Sequence, residues 1–182
     1  EQYLTQEEKR VISKDELVIL ARKTIENYIK NEETIAVPED ASDYITKNKA
    51  GVFVSLHKFN ELRGCIGTFL PTKSSIAEEI IRNAIAAATE DYRFNRVTEE
   101  ELKYLEINVD VLSEPVAVES INELDAKKYG VIVYSGFKRG LLLPDIEGVD
   151  TVEQQINIAR RKGSIEPDEE ITIEKFEVVR HK

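Results

Sequence analysis

Two stretches of this chain carry the same order of parts, and that order restricts the fold more than any single residue does. The first runs Gly51-Val52-Phe53-Val54, a hairpin, Leu70-Pro71 and a helix; the second runs Gly130-Val131-Ile132-Val133, a hairpin, Leu143-Pro144 and a helix. Their starts lie 79 residues apart (130 − 51). Recurrence of one strand-and-helix unit is the mark of a scaffold used twice. Few identities join the stretches, so the internal duplication rests on the order of parts. Their contents differ where it matters: the first carries Arg63-Gly64-Cys65-Ile66-Gly67, and the second reads Gly140-Leu141-Leu142-Leu143. One copy reads as packing and the other as packing with an added task.

Four cap patterns place the helices. Ser13 with Glu16, Ser75 with Glu78, Thr98 with Glu101 and Thr151 with Gln154 each set a hydroxyl three residues before a carboxylate or amide, the spacing of a capping box. The first opens a helix to about Tyr28, with Leu17, Ala21 and Ile25 on one face. A long helix carries Ile76, Ile80, Ala84 and Ala88, a short one starts at Thr98, and another runs to Lys162 before Gly163. Strand patterns cover Val52 to Leu56, Leu62 to Phe69, Ile107 to Val111 with Asn108 and Asp110 facing away, Val131 to Tyr134, Leu141 to Leu143 and Ile171 to Val179. Turns are expected at Phe59-Asn60-Glu61 and from Gly136 to Gly140. The result is an α+β fold of two hairpin-plus-helix units. It is one domain over 1–182, divisible into lobes of about 10–115 and 116–182.

Composition removes several classes of function. With 41% hydrophobic and 33% charged residues, the chain has a core and no bilayer-spanning run. The expected setting is the cytoplasm, which a single cysteine fits. The net charge of −10 repels phosphate backbones and anionic lipid heads, so nucleic acid and membrane are disfavoured partners. Basic residues cluster at Lys138-Arg139 and at Arg160-Arg161-Lys162, the latter where cations complement a helix C-terminus. One Cys and two His give no zinc-like spacing, and no phosphate loop or dinucleotide fingerprint is present. Neither metal nor cofactor is expected, and a monomer is the default.

Leu62-Arg63-Gly64-Cys65-Ile66-Gly67 carries the chemistry. Alternation in a strand puts Arg63 and Cys65 on one face, roughly 6.5 to 7 Å apart. A guanidinium there favours thiolate and offers a forked donor to a carboxylate or phosphate. Gly64 and Gly67 mark a bulge or a close approach by a ligand or another backbone. The plainer reading is a packed cysteine and a surface arginine. Candidate catalytic residues are Cys65 as nucleophile, Arg63 for activation or anion binding, and His57 or Asp91 for proton transfer. Candidate ligand-binding residues are Arg63, Gly64, Cys65, Gly67 and Arg93. Asp91 and Arg93 also fit a structural ion pair.

These residues resemble the AMMECR family, of which Leu-Arg-Gly-Cys-Ile-Gly is the signature hexapeptide. Asp91-Tyr92-Arg93-Phe94, Glu101-Leu102 before Leu105-Glu106-Ile107, and Gly140-Leu141-Leu142-Leu143-Pro144 are similar to further family landmarks. The chain departs from the family at Ile171-Thr172-Ile173, where a tryptophan is frequent and this sequence has none. The resemblance implies two similar units around a curved, mostly antiparallel sheet. It brings no established reaction. It also implies association with Memo-like and radical SAM proteins, the system that joins these three families. Two classes of function compete: a component that binds a small anionic ligand or a partner protein at Leu62–Gly67, and an enzyme using Cys65.

Overall fold

Asp15 opens the first helix. The computed structural model describes residues 13–182, and α1 (Glu16–Asn31) is capped by the Asp15 carboxylate, which accepts the N–H groups of Leu17 at 2.9 Å and Val18 at 3.3 Å. The expected Ser13–Glu16 box does not form. A carboxylate at the N-cap answers the helix dipole better than a hydroxyl two residues earlier. Ser13 instead donates to the Lys182 carbonyl, and Glu16 accepts the N–H and hydroxyl of Ser42, 2.7 Å each. Ser42 leads into the one-turn helix α2 (Asp43–Thr46), unexpected in a polar loop.

Strands β1 (Gly51–Lys58) and β2 (Glu61–Gly67) pair antiparallel through Phe59 and Asn60, whose φ angles are 51° and 64°. Two positive φ values make the mirror-image turn that suits strand twist. The loop is therefore two residues long, with Lys58 opposite Glu61. Helix α3 (Ile76–Thr89) follows, with Ser75 accepting the Glu78 N–H as expected; the Glu78 carboxylate turns to Ser74 instead. Buried Ile76, Ile80, Ala84 and Ala88 confirm the apolar stripe, and α3 packs between α1 and the β1–β2 hairpin. The capping box of Thr98 and Glu101 opens a 3₁₀ turn (Glu99–Tyr104), after which comes β3 (Leu105–Leu112). Asp110 is 5% exposed, not turned to water, because Arg180 forks onto its carboxylate at 2.9 and 3.0 Å.

Contacts group the chain into two compact units: described residues up to Asp110 with Arg180–Lys182, and Val111–Val179. One sheet has the order β2-β1-β3-β8, with β8 at Val178–His181. The other has the order β4-β7-β5-β6, built from β4 (Val116–Val118), β7 (Thr172–Phe176), β5 (Gly130–Ser135) and β6 (Lys138–Leu142). The α+β expectation holds. The single last strand divides at Glu177 into β7 and β8, β4 was not anticipated, and β6 begins at Lys138, directly after the Gly136-Phe137 turn. Thr151 and Gln154 cap α4 (Val152–Lys162), which lies on β5 and β6 over a core of Leu124, Val131, Val133, Leu142, Val149, Ala159 and Ile165.

In each unit the helix bonds a carbonyl near the start of the first strand, though not at matched positions, since Val52 follows Gly51 and Tyr129 precedes Gly130. Asn83 on α3 donates to the Val52 carbonyl at 2.9 Å, and Gln155 on α4 donates to the Tyr129 carbonyl at 2.8 Å. Four residues on (83 to 87, 155 to 159), the Ala87 carbonyl fills the space a Cβ would occupy at Gly64, and the Ala159 carbonyl does so at Gly140. Common descent of the two units is a proposal that the helix-to-glycine contacts at Gly64 and Gly140 support. Among the described residues no helix is long and apolar enough to cross a membrane.

Candidate functional site

Cys65 sits on β2, an edge strand. The residue is half-buried, and its thiol lies 3.3 Å from the Ser55 hydroxyl across the hairpin. An edge residue turns a peptide group away from its sheet, and that group must find a partner or water. Here Asp91 accepts the Cys65 N–H at 3.0 Å, and Arg93 donates to the Cys65 carbonyl at 3.5 Å. The pair thus stands where a neighbouring strand would. Asp91 also accepts the Arg93 N–H at 3.1 Å and both Nε and Nη2 of its guanidinium at 3.0 and 2.7 Å. Its side chain is 3% exposed. Arg93's hydrogen bonds, with those from backbone N–H groups, hold the Asp91 carboxyl well below the usual range against the opposing effect of burial.

Arg63 is placed by a bulge. Leu56 faces Gly64 but His57 faces Leu62, so Arg63 is the extra residue on β2, and a bulge re-aims its side chain. Its Nε and Nη2 fork onto Glu101, 3.0 Å each, and Lys58 adds a third donor at 2.9 Å. Burial raises the Glu101 pKa, but Arg63, Lys58 and the Thr98 N–H outweigh it and bring it down to about 2. The remaining Arg63 nitrogen, Nη1, is buried without a hydrogen-bond acceptor among the described residues. Phe94 lies beside both guanidiniums, 6.0 Å from that of Arg63 and 5.5 Å from that of Arg93.

The arginine that meets Cys65 is therefore Arg93, while Arg63 serves Glu101. Arg93 is 47% exposed on its side chain, and among the described residues its Nη1 makes no hydrogen bond. The glycines are filled from within. A Cβ at Gly64 would stand 2.3 Å from the Ala87 carbonyl, and one at Gly67 2.2 Å from the Phe53 ring. The room read as an approach for a ligand thus belongs to α3 and to an aromatic cover. Among the described residues the His57 side chain makes no hydrogen bond or ion pair, and no group of three His, Cys, Asp or Glu is placed to hold a metal ion. Sequence reasoning missed Glu101, Lys58, Phe94 and Ser55 as parts of the site. Glu101 had a signal, its capping box, which accounts for one of its two jobs.

Comparison with known proteins gives the chain its relatives. A sequence model of the family described as AMMECR1 matches residues 18–181. A protein of Thermotoga maritima is 53% identical over 164 residues, covering 89% of this chain and 94% of that one. A Clostridium acetobutylicum protein is 51% identical over 96% of this chain, which spans 37% of that relative's length. The crystal structure of an uncharacterized protein from Pyrococcus horikoshii superposes with a TM-score of 0.78 at 34% identity, over 90% of this chain and 88% of that one. The family match takes in β2, the Asp91–Phe94 loop and the Glu101 turn together, and this chain belongs to the AMMECR1 family.

Proposed function

We propose that the Leu62–Gly67 segment is a preorganised binding site for one anionic group, carried by a small ligand or a partner protein, with Arg93 as the donor that meets it. The observation behind this reading is the division within Arg93. A buried carboxylate holds Nε and Nη2, and Nη1 is left on a half-exposed side chain. A fork held on one edge presents its other edge at little entropic cost. Three cations (Lys58, Arg63, Arg93) face two carboxylates (Asp91, Glu101), a balance of one positive charge that suits a single anion. Arg63 and Glu101 act as the buttress, since buried ion pairs contribute more to placement than to stability. A place in a cytosolic pathway with Memo-like and radical SAM proteins belongs to the same proposal and rests on family resemblance.

Titration with inorganic phosphate and with citrate, followed by NMR at the Cys65 amide and Arg93 Nε–H, tests this. Saturable shifts at both groups, with the Cys65 amide shift lost in Arg93→Ala and kept in Lys138→Ala, support it. No shifts, or equal shifts in Arg93→Ala, would refute it.

A free, half-buried cysteine favours a second reading, an enzyme with Cys65 as nucleophile. Its difficulty is the base. Asp91 is ionised and takes four donors, and His57 makes no contact with the thiol.

A further inference from the structure

Asp91, Tyr92, Arg93 and Phe94 form a tight turn. The Phe94 N–H closes it on the Asp91 carbonyl at 3.0 Å, and the Arg93 N–H braces it on the Asp91 carboxylate at 3.1 Å. With Asp91 buried beneath and tied to the Cys65 N–H, the turn is fixed to β2. Tyr92 is 96% exposed on this frame, and the outward edge of Arg93 stands next to it.

Lone exposed aromatics are ordinary. What sets Tyr92 apart is its company: a braced turn and an adjacent, half-exposed guanidinium, both tied to half-buried Cys65 on β2. Tyrosine and arginine are the residues most enriched among interface anchors, and a phenol ring loses little rotamer freedom when docked. Shape then separates ligand classes. Small molecules bind in concavities that bury roughly 70 to 90% of their surface, whereas a ring that is 96% exposed sits in none. Grooves of about 350 and 420 Å³ lie elsewhere in the structure, one along Ile19, Leu20 and Ile45 and the other beside Glu26 and Lys103. An exposed anchor needs a partner that supplies the pocket.

We propose that the Asp91–Phe94 turn is a protein-docking element, with Tyr92 entering an apolar pocket of a partner protein and Arg93 pairing with a carboxylate at that pocket's rim. This rests on the reading of Arg93 as an anion donor and names the anion's source as an acidic side chain or a C-terminal carboxylate. A nucleic acid base could also stack on an exposed ring, but a chain of net charge −10 repels a polyphosphate, and the site itself carries a balance of only one positive charge.

The test places a photoreactive p-benzoylphenylalanine at position 92, or at Phe137 as a control that is equally exposed at a hairpin tip, and irradiates the full chain in an extract of the source cells. The captured protein is purified, and its binding to wild type, Tyr92→Ala and Arg93→Glu is measured. Docking predicts preferential capture from position 92 and at least about tenfold weaker binding for each variant. It also predicts recovery of Arg93→Glu when the partner's rim carboxylate is changed to lysine. Equal capture from both positions, undiminished binding by the variants, a nuclease-sensitive adduct or an adduct with a second copy of this chain would each overturn the proposal. Phosphate shifts at Arg93 without docking at Tyr92 would leave the anion site standing and remove only this inference, while loss of both would remove both.

Discussion

The Asp91 carboxylate accepts the backbone N–H of Cys65 at 3.0 Å, which ties a loop after α3 to the outer edge of β2. Two consequences follow. Strand addition at Cys65 is blocked, because Asp91 and Arg93 occupy the peptide groups an added strand would use. The position of the thiol also depends on a carboxylate that is itself buried.

Asp91→Ala should therefore cost about 2 kcal/mol of unfolding free energy, since it leaves a part-buried N–H unpaired and a half-exposed guanidinium without its counter-charge. Urea denaturation gives the total. Hydrogen exchange at the Cys65 amide gives the local part and should accelerate beyond the global loss.

Gly64→Ala should destabilise by more than about 2 kcal/mol, because its Cβ would stand 2.3 Å from the Ala87 carbonyl, a backbone atom that can shift only with α3. Gly140→Ala, at 1.7 Å from the Ala159 carbonyl, should behave likewise. Gly67→Ala would set its Cβ 2.2 Å from Phe53 Cγ, an atom that ring rotation leaves in place, so Phe53 must change its χ1 rotamer and the melting temperature should fall here too. A Gly64→Ala protein that melts like wild type would show the strand is free of the helix there.

Acid should weaken the fold through the two clamps. The folded pKa of Asp91 is depressed, chiefly by Arg93, and that of Glu101 falls to about 2 despite burial. In the unfolded chain these groups titrate at about 3.9 and 4.3, so on acidification the unfolded state takes up protons first. Their stabilising contribution is complete above about pH 5 and is lost as pH falls through the folded values. Unfolding free energy should decline between about pH 4.5 and 2, and Glu101→Gln should flatten part of the decline. A Glu101→Gln protein with the wild-type slope would show that the Arg63 fork contributes nothing.

The sequence supplied the elements and one half of the site. Periodicity and caps located α3, α4 and the hairpins, since those signals are local. Asp15 took the cap assigned to Ser13 because two acceptors compete within three residues and only geometry decides. Gly64 signalled a bulge or a close approach without placing it; that Arg63 is the extra residue was not legible, and with it went the partnership with Glu101, 38 residues away. Asp91 and Arg93 were legible as an ion pair, but their grip on the Cys65 peptide depends on how α3 returns the chain to β2. Gly64 and Gly67 were legible as close approaches. Which atoms approach is a tertiary fact, and here they are the chain's own.

The most direct test of an anion site at Arg93 is the rate of Cys65 alkylation by iodoacetamide at neutral pH, with and without saturating citrate, in wild type and Arg93→Ala. The lone cysteine makes the readout unambiguous, and the reagent is uncharged. An anion held at Arg93 should shield the thiol and slow the wild-type reaction at least about threefold, with no slowing in Arg93→Ala. Equal slowing in both proteins, or none in either, would contradict the account.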